Sequence, residues 1–246
     1  MVLKVLEICI DSVAGAIAAQ NGGAHRVELC DNLVEGGTTP SMGMISLCRE
    51  KVSIDIMVMI RPRGGDFLYD DGEFEVMKRD ILQVKTMGIT GVVLGILLPD
   101  GNIDTARVSE LVTLARPLEV TFHRAFDMTP DADKALDELM DMGIERVLTS
   151  GQEAEAIQGI DCIRRLVKRA AGRISVMPGG GINENNIGQM VAATAVTECH
   201  STAKSRLGSH MQYQNPRVYM GSPGSAEYER WTVDESRVKA LLKSAQ

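Results

Sequence analysis

Three short stretches of this chain pair a carboxylate with a sulfur or an imidazole two residues away: Glu7-Ile8-Cys9, Glu28-Leu29-Cys30 and Glu198-Cys199-His200. On a strand, residues two apart share a face. If the three stretches are neighbouring strands, one face gathers Glu7, Glu28 and Glu198 with Cys9, Cys30 and His200. Two kinds of chemistry fit such a set. Thiolates of Cys9 and Cys30 are soft donors of the sort that select Cu(I). Alternatively, Glu7 or Glu28 acts as a general base beside His123 and His200, with Arg61, Arg63 and Arg124 holding an anionic substrate. A divalent-metal variant would use Glu198, His200 and His123. Carboxylates on strands about 4.8 Å apart cannot all stay ionised without counter-charge. Arg61, Arg63, His123 and Arg124, at the ends of two further apolar runs, are the candidates for it.

Two glycine-rich stretches add an anion-binding possibility. MPGGGINENN places Gly179, Gly180 and Gly181 after one apolar run and before a helical pattern. There, bare backbone N–H groups and a helix N-terminus favour a phosphate or carboxylate, and a tight turn needing positive φ is the plainer alternative. RPRGGDF carries the same ambiguity, with Arg61 and Arg63 favouring the anion.

The elements that would position these residues recur regularly. Strand patterns cover 2–10, 26–30, 55–61, 91–97, 119–125, 145–150, 173–178 and 195–200, and helical periodicity fills the intervals. Helix signals include Thr129 before Pro130 as a cap, Thr232 and Glu235 at capping-box spacing, and glycines at 22, 88, 143 and 172. Eight strand-helix alternations predict a (β/α)8 TIM barrel, whose active site gathers at the C-terminal ends of the strands. The rival open doubly wound sheet lacks its expected G-x-G-x-x-G after the first strand. The chain reads as a single domain, 1–246, with the barrel over about 2–202 and an irregular C-terminal extension ending in a helix over 203–246. Residues 201–230 follow neither period. Their apolar Met211, Tyr213, Val218, Tyr219 and Met220 suggest a lid or a subunit interface.

Composition narrows the classes. The 246 residues carry a net charge of −7, which argues against nucleic acid as a partner. No apolar run approaches the ~20 residues of a membrane span. The five cysteines include no C-x-x-C pair, which suits reduced thiols in a cytoplasmic protein. Cys48 and Cys162 fall in helical patterns and read as packing. No strand ends in a lysine, and G-x-S-x-G and H-E-x-x-H are both absent, which removes several standard enzyme mechanisms.

The stretches EICIDS, RVELCDNLVEGGTTPSMG, VMIRPRGGDF, DGNID, VTFHRAFDM, RVLTSG and MPGGGI, in this order between residues 7 and 182, resemble the CutC copper-homeostasis family. The resemblance implies a TIM barrel, a cytoplasmic location and a homodimer or homotetramer. It also implies a link to copper, with Cys9 and Cys30 matching the cysteines proposed to bind Cu(I). Metal capture and an enzyme acting on a small anionic metabolite both remain open at this point.

Overall fold

A computed structural model describes residues 2–218, 220 and 227–246; Tyr219, named above in the tail, lies outside the described residues. The chain alternates β1 (Val5–Ile10), α1 (Val13–Asn21), β2 (Arg26–Leu29), α2 (Met42–Lys51), β3 (Asp55–Met59) and α3 (Asp71–Val84). It continues through β4 (Gly91–Leu94), α4 (Thr105–Ala115), β5 (Glu119–Phe122), α5 (Ala132–Asp141) and β6 (Arg146–Thr149). Then come α6 (Ile160–Ala170), β7 (Ser175–Pro178), α7 (Ile187–Thr194) and β8 (Glu198–Ser201).

The eight strands pair in the order β7-β6-β5-β4-β3-β2-β1-β8, every pairing parallel. Strands β7 and β8 are neighbours without a hydrogen-bonded ladder, so the TIM barrel is nearly closed. Parity on the strands decides what lies inside. Leu6, Ile8, Ile10, Val27 and Leu29 face outward and pack under the helices in the main apolar core. Cys9, Cys30, Met57, Met59 and Val93 form a separate small cluster in the lumen. Gly91 gives that lumen room, because a Cβ there would stand 2.5 Å from Cε of Met57.

Helix starts follow local capping chemistry. The Ser12 hydroxyl accepts from Gly15 N–H, and Asp70 with Glu73 completes a capping box on α3. Two expected caps shift. Asp131, not Thr129, caps α5 by accepting from Asp133 and Lys134 N–H, because its carboxylate sits two residues nearer the first helical turn. Asp234 caps the last helix, while Thr232 belongs to a strand.

The extension is more ordered than its sequence suggests. β9 (Lys204–Gly208) and β10 (Glu229–Val233) form an antiparallel ribbon, and α8 (Glu235–Ser244) follows it. Helix α8 packs between α1 and α7, with Val238 and Leu241 buried, and so takes the place of the barrel's eighth helix. The ribbon is therefore an insertion between β8 and its helix. Met211, Tyr213, Val218 and Met220 lie exposed beyond it.

Candidate functional site

At the C-terminal end of the strands a cavity of about 530 Å3 opens, floored by Cys9, Glu28, Met59 and His200 and walled by Arg61, Phe67, His123, Arg124, Gly180, Gly181 and Lys204. Parallel register sets the floor: Cys9 lies opposite Glu28, and Glu7 opposite both Arg26 and His200.

Glu7 sits just beneath and joins two layers. One carboxylate oxygen pairs with Nε of Arg26, and the other lies 2.7 Å from Nδ1 of His200. Arg26 also reaches Glu198 at 2.5 Å, and Glu198 in turn holds Nε of Arg146 at 2.6 Å. Arg146 continues to Glu119 and Thr121. Burial opposes ionising Glu7, but Arg26 and then His200 outweigh it and hold the carboxyl well below the usual range. Glu198 is lowered likewise, Arg146 and Arg26 overcoming its burial.

Above this layer the charges are ordered. Burial disfavours protonated His200, but the surrounding Glu28, Cys9 and Glu7 raise it well above the ordinary imidazole range, so it is an imidazolium seated on Glu7. Glu28 is pushed well up from the ordinary carboxylate range, chiefly by burial. The Cys30 thiol, aided by His200, draws Cys9 down to about 5 against its burial. Cys30 moves the opposite way, its hydrogen bonding to Cys9 and its burial keeping it a thiol. The two sulfurs stand 4.0 Å apart, with Glu28 Oε2 3.5 Å from Cys30 Sγ. Donor atoms of Cys9, Glu28 and Cys30 all lie within 4.8 Å of one another, as do those of Glu7, Glu28 and His200.

His123 crosses the lumen where Gly95 leaves space; a Cβ at Gly95 would stand 2.6 Å from the His123 ring. Its Nδ1 accepts from Ala125 N–H, so the proton of the neutral ring resides on Nε2. Burial, then the Arg61 charge, hold its pKa down to about 3. His123 is therefore a neutral hydrogen-bond donor at neutral pH. Its Nε2 is buried with no partner among the described residues, and Glu28 Oε1 and Arg61 Nε share that condition.

Several expected site residues do not reach the cavity. Glu198 lies deeper, because β8 is staggered so that Val5, rather than Glu7, is its neighbour. The divalent set Glu198, His200 and His123 is thus not assembled among the described residues. Arg63 turns outward to Glu73 and Asp66 and stacks over Tyr69. Gly179 is not in the cavity wall; it packs so tightly that a Cβ would stand 2.5 Å from Leu148 Cδ1. Cys30 is behind Cys9, under Gly37. Arg61 lines the cavity, yet its Nη1 and Nη2 donate to the carbonyls of Glu35, Gly37 and Gly65, so it organises loops before it holds any anion.

Arg26, Arg146, Asp127 and Lys204 are not among the residues that the sequence singles out. Arg26 shares strand parity with Glu28 and Cys30, a signal that was present; Arg146 and Lys204 open strands and look like ordinary exposed ends.

The family model for the CutC family matches residues 4–205. The chain belongs to the CutC family. Among curated relatives of this family, a human protein named "Copper homeostasis protein cutC homolog" is 48% identical over 238 residues, covering 96% of this chain and 87% of that protein. A CutC family protein from Chromobacterium violaceum is 47% identical over 241 residues, covering 98% of both. A solved CutC structure from Streptococcus agalactiae superposes with a TM-score of 0.78 at 37% identity, covering 82% of this chain and 99% of that one.

The residues of the floor fit a soft monovalent ion. Metal–thiolate bonds are about 2.3 Å long, so one ion spans sulfurs up to roughly 4.6 Å apart without backbone movement. Cys9 is already biased to thiolate, its pKa drawn down by Cys30 and His200.

Proposed function

We propose that this protein binds Cu(I) through Cys9 and Cys30 and takes part in copper homeostasis. The observation that carries the reading is the 4.0 Å separation of the two sulfurs in the lumen, with Cys9 open to the cavity. Soft thiolates in low coordination suit Cu(I), and the names of the relatives point the same way. Binding displaces the proton of Cys30, so affinity should rise with pH.

The experiment is competition for Cu(I) against a chelator under reducing conditions. Cys9→Ser with Cys30→Ser should lose more than about a hundredfold in affinity, because a hydroxyl is a hard, weak donor. Glu28→Gln should stay within the roughly 10–100-fold that supporting groups of a metal site account for. Equal losses in the two variants would count against the cysteine pair as the site.

A cytoplasmic location and a dimer or tetramer belong to the same reading. Five free thiols suit a reducing compartment, and no helix among the described residues is long and apolar enough to cross a membrane. Exposed Met211, Tyr213 and Met220 beyond the ribbon support self-association. Sedimentation of the full chain should give a mass above one protomer; a monomer at micromolar concentration would contradict this.

A further inference from the structure

The glycine loop after β7 is held in place but leaves donors free. Gly179 N–H donates to Thr149 O, and Gly180 O accepts from Ala156 N–H. The N–H groups of Gly180 and Gly181 donate to no atom of the described residues, and both glycines sit at positive φ, +98° and +75°. Arg124 lies against this loop: a Cβ on Gly180 would stand 3.3 Å from its Nη1. The guanidinium is fixed by Asp127 at Nε (2.8 Å) and by Ser150 Oγ at Nη2 (2.8 Å), leaving Nη1 without a partner among the described residues. Asp127 is itself saturated by Thr149 Oγ1 and the Ser150 and Gln152 N–H groups. Across the gap between β7 and β8, half-buried Lys204 lines the same cavity and makes no salt bridge among the described residues.

A second, independent observation points to a ligand here. The Nε2–H of His123, in the wall of the same cavity and 4% exposed, has no acceptor among the described residues. A buried donor left unmade is costly, and a molecule in the cavity would supply the acceptor. The volume, about 530 Å3, is in the range of small-molecule sites.

We propose that the mouth of the barrel binds a phosphate monoester of a small hydroxylated compound, about the size of a sugar phosphate. The phosphate is held by Gly180 and Gly181 N–H, Arg124 and Lys204, and an oxygen of its body accepts from His123. Phosphate is preferred to carboxylate because it carries close to two negative charges and three acceptor oxygens, which match two cations and two N–H donors. Loops after the seventh and eighth strands of such barrels are also where phosphates commonly sit. This goes beyond the copper reading and uses neither cysteine.

The test is calorimetry on metal-free, reduced protein with inorganic phosphate, ribose 5-phosphate, ribose and gluconate as probes. Because no copper is present, the outcome is independent of the copper proposal. Ribose 5-phosphate should bind saturably at one per chain, inorganic phosphate more weakly, and ribose not at all. Arg124→Gln and Lys204→Gln should each weaken ribose 5-phosphate at least about tenfold. Lys204 has no salt bridge to lose, so its variant guards against a folding artefact of the Arg124 change. Glu155→Gln should tighten binding, since that exposed carboxylate packs beside Gly181. No saturable binding by either phosphate probe, wild-type binding in both cation variants, or gluconate binding as tightly as ribose 5-phosphate would each overturn the proposal.

Discussion

Replacing Arg26 with methionine should destabilise the protein by about 3–5 kcal/mol at neutral pH, the usual cost of leaving a buried charge without its partner. Arg26 is the shared cation of Glu7 and Glu198 in the lower lumen, and both the arginine and Glu7 are almost fully buried. Methionine matches much of the volume but supplies no charge, so cavity formation is not the main effect. The pH dependence distinguishes this cause from mere misfit. Glu7 and Glu198 have folded pKa values below the ordinary 4.5, so the stability they contribute is present above that value and is lost as pH falls through the folded values. The gap between wild type and Arg26→Met should therefore be widest near neutrality and shrink below about pH 4.5. Urea midpoints measured across that range check it, and a gap that does not change with pH would show that the loss is packing.

Arg61→Ala should cost roughly 2–4 kcal/mol, because three charge-assisted bonds to the Glu35, Gly37 and Gly65 carbonyls are lost together with stacking on Phe67. Those carbonyls belong to the loops after β2 and β3, which cover Cys30 and wall the cavity. Arg61→Lys should recover little, since one ammonium cannot reach carbonyls that a planar fork serves at once. Denaturant midpoints together with proteolysis of the two loops give the readout. Full stability in the lysine variant would mean that charge alone, and not the fork, holds the loops.

Much of the barrel was legible because strand parity is a strict rule. The alternation in VLEICI and RVEL, with apolar residues out and Glu7, Cys9, Glu28 and Cys30 in, follows from the need to bury one face under helices. The depth of each residue was not legible. Stagger between β8 and β1 decides that His200 meets Glu7 while Glu198 sinks to the ion layer, and stagger leaves no mark in a single sequence. The direction of an arginine is equally hidden. Arg61 and Arg63 sit two residues apart in one loop, yet one turns in to backbone carbonyls and the other out to Glu73. The β9–β10 ribbon escaped notice because twenty residues separate its strands, too long a connection for a hairpin turn signal.

The charge pattern of the site also could not be read from residue types. Three carboxylates called for counter-charge, and the expected donors were Arg61, Arg63, His123 and Arg124. In the structure Arg26, Arg146 and His200 provide it, while burial pushes the pKa of Glu28 up.

Copper X-ray absorption on reduced wild-type protein loaded with one equivalent of Cu(I) tests most directly the proposal that Cys9 and Cys30 together hold the ion. The expected spectrum has two sulfur neighbours at bonding distance and no nitrogen or oxygen ligand at comparable distance. A protein that retains no copper after exchange into chelator-free reducing buffer, or a copper surrounded by nitrogen and oxygen, would contradict it.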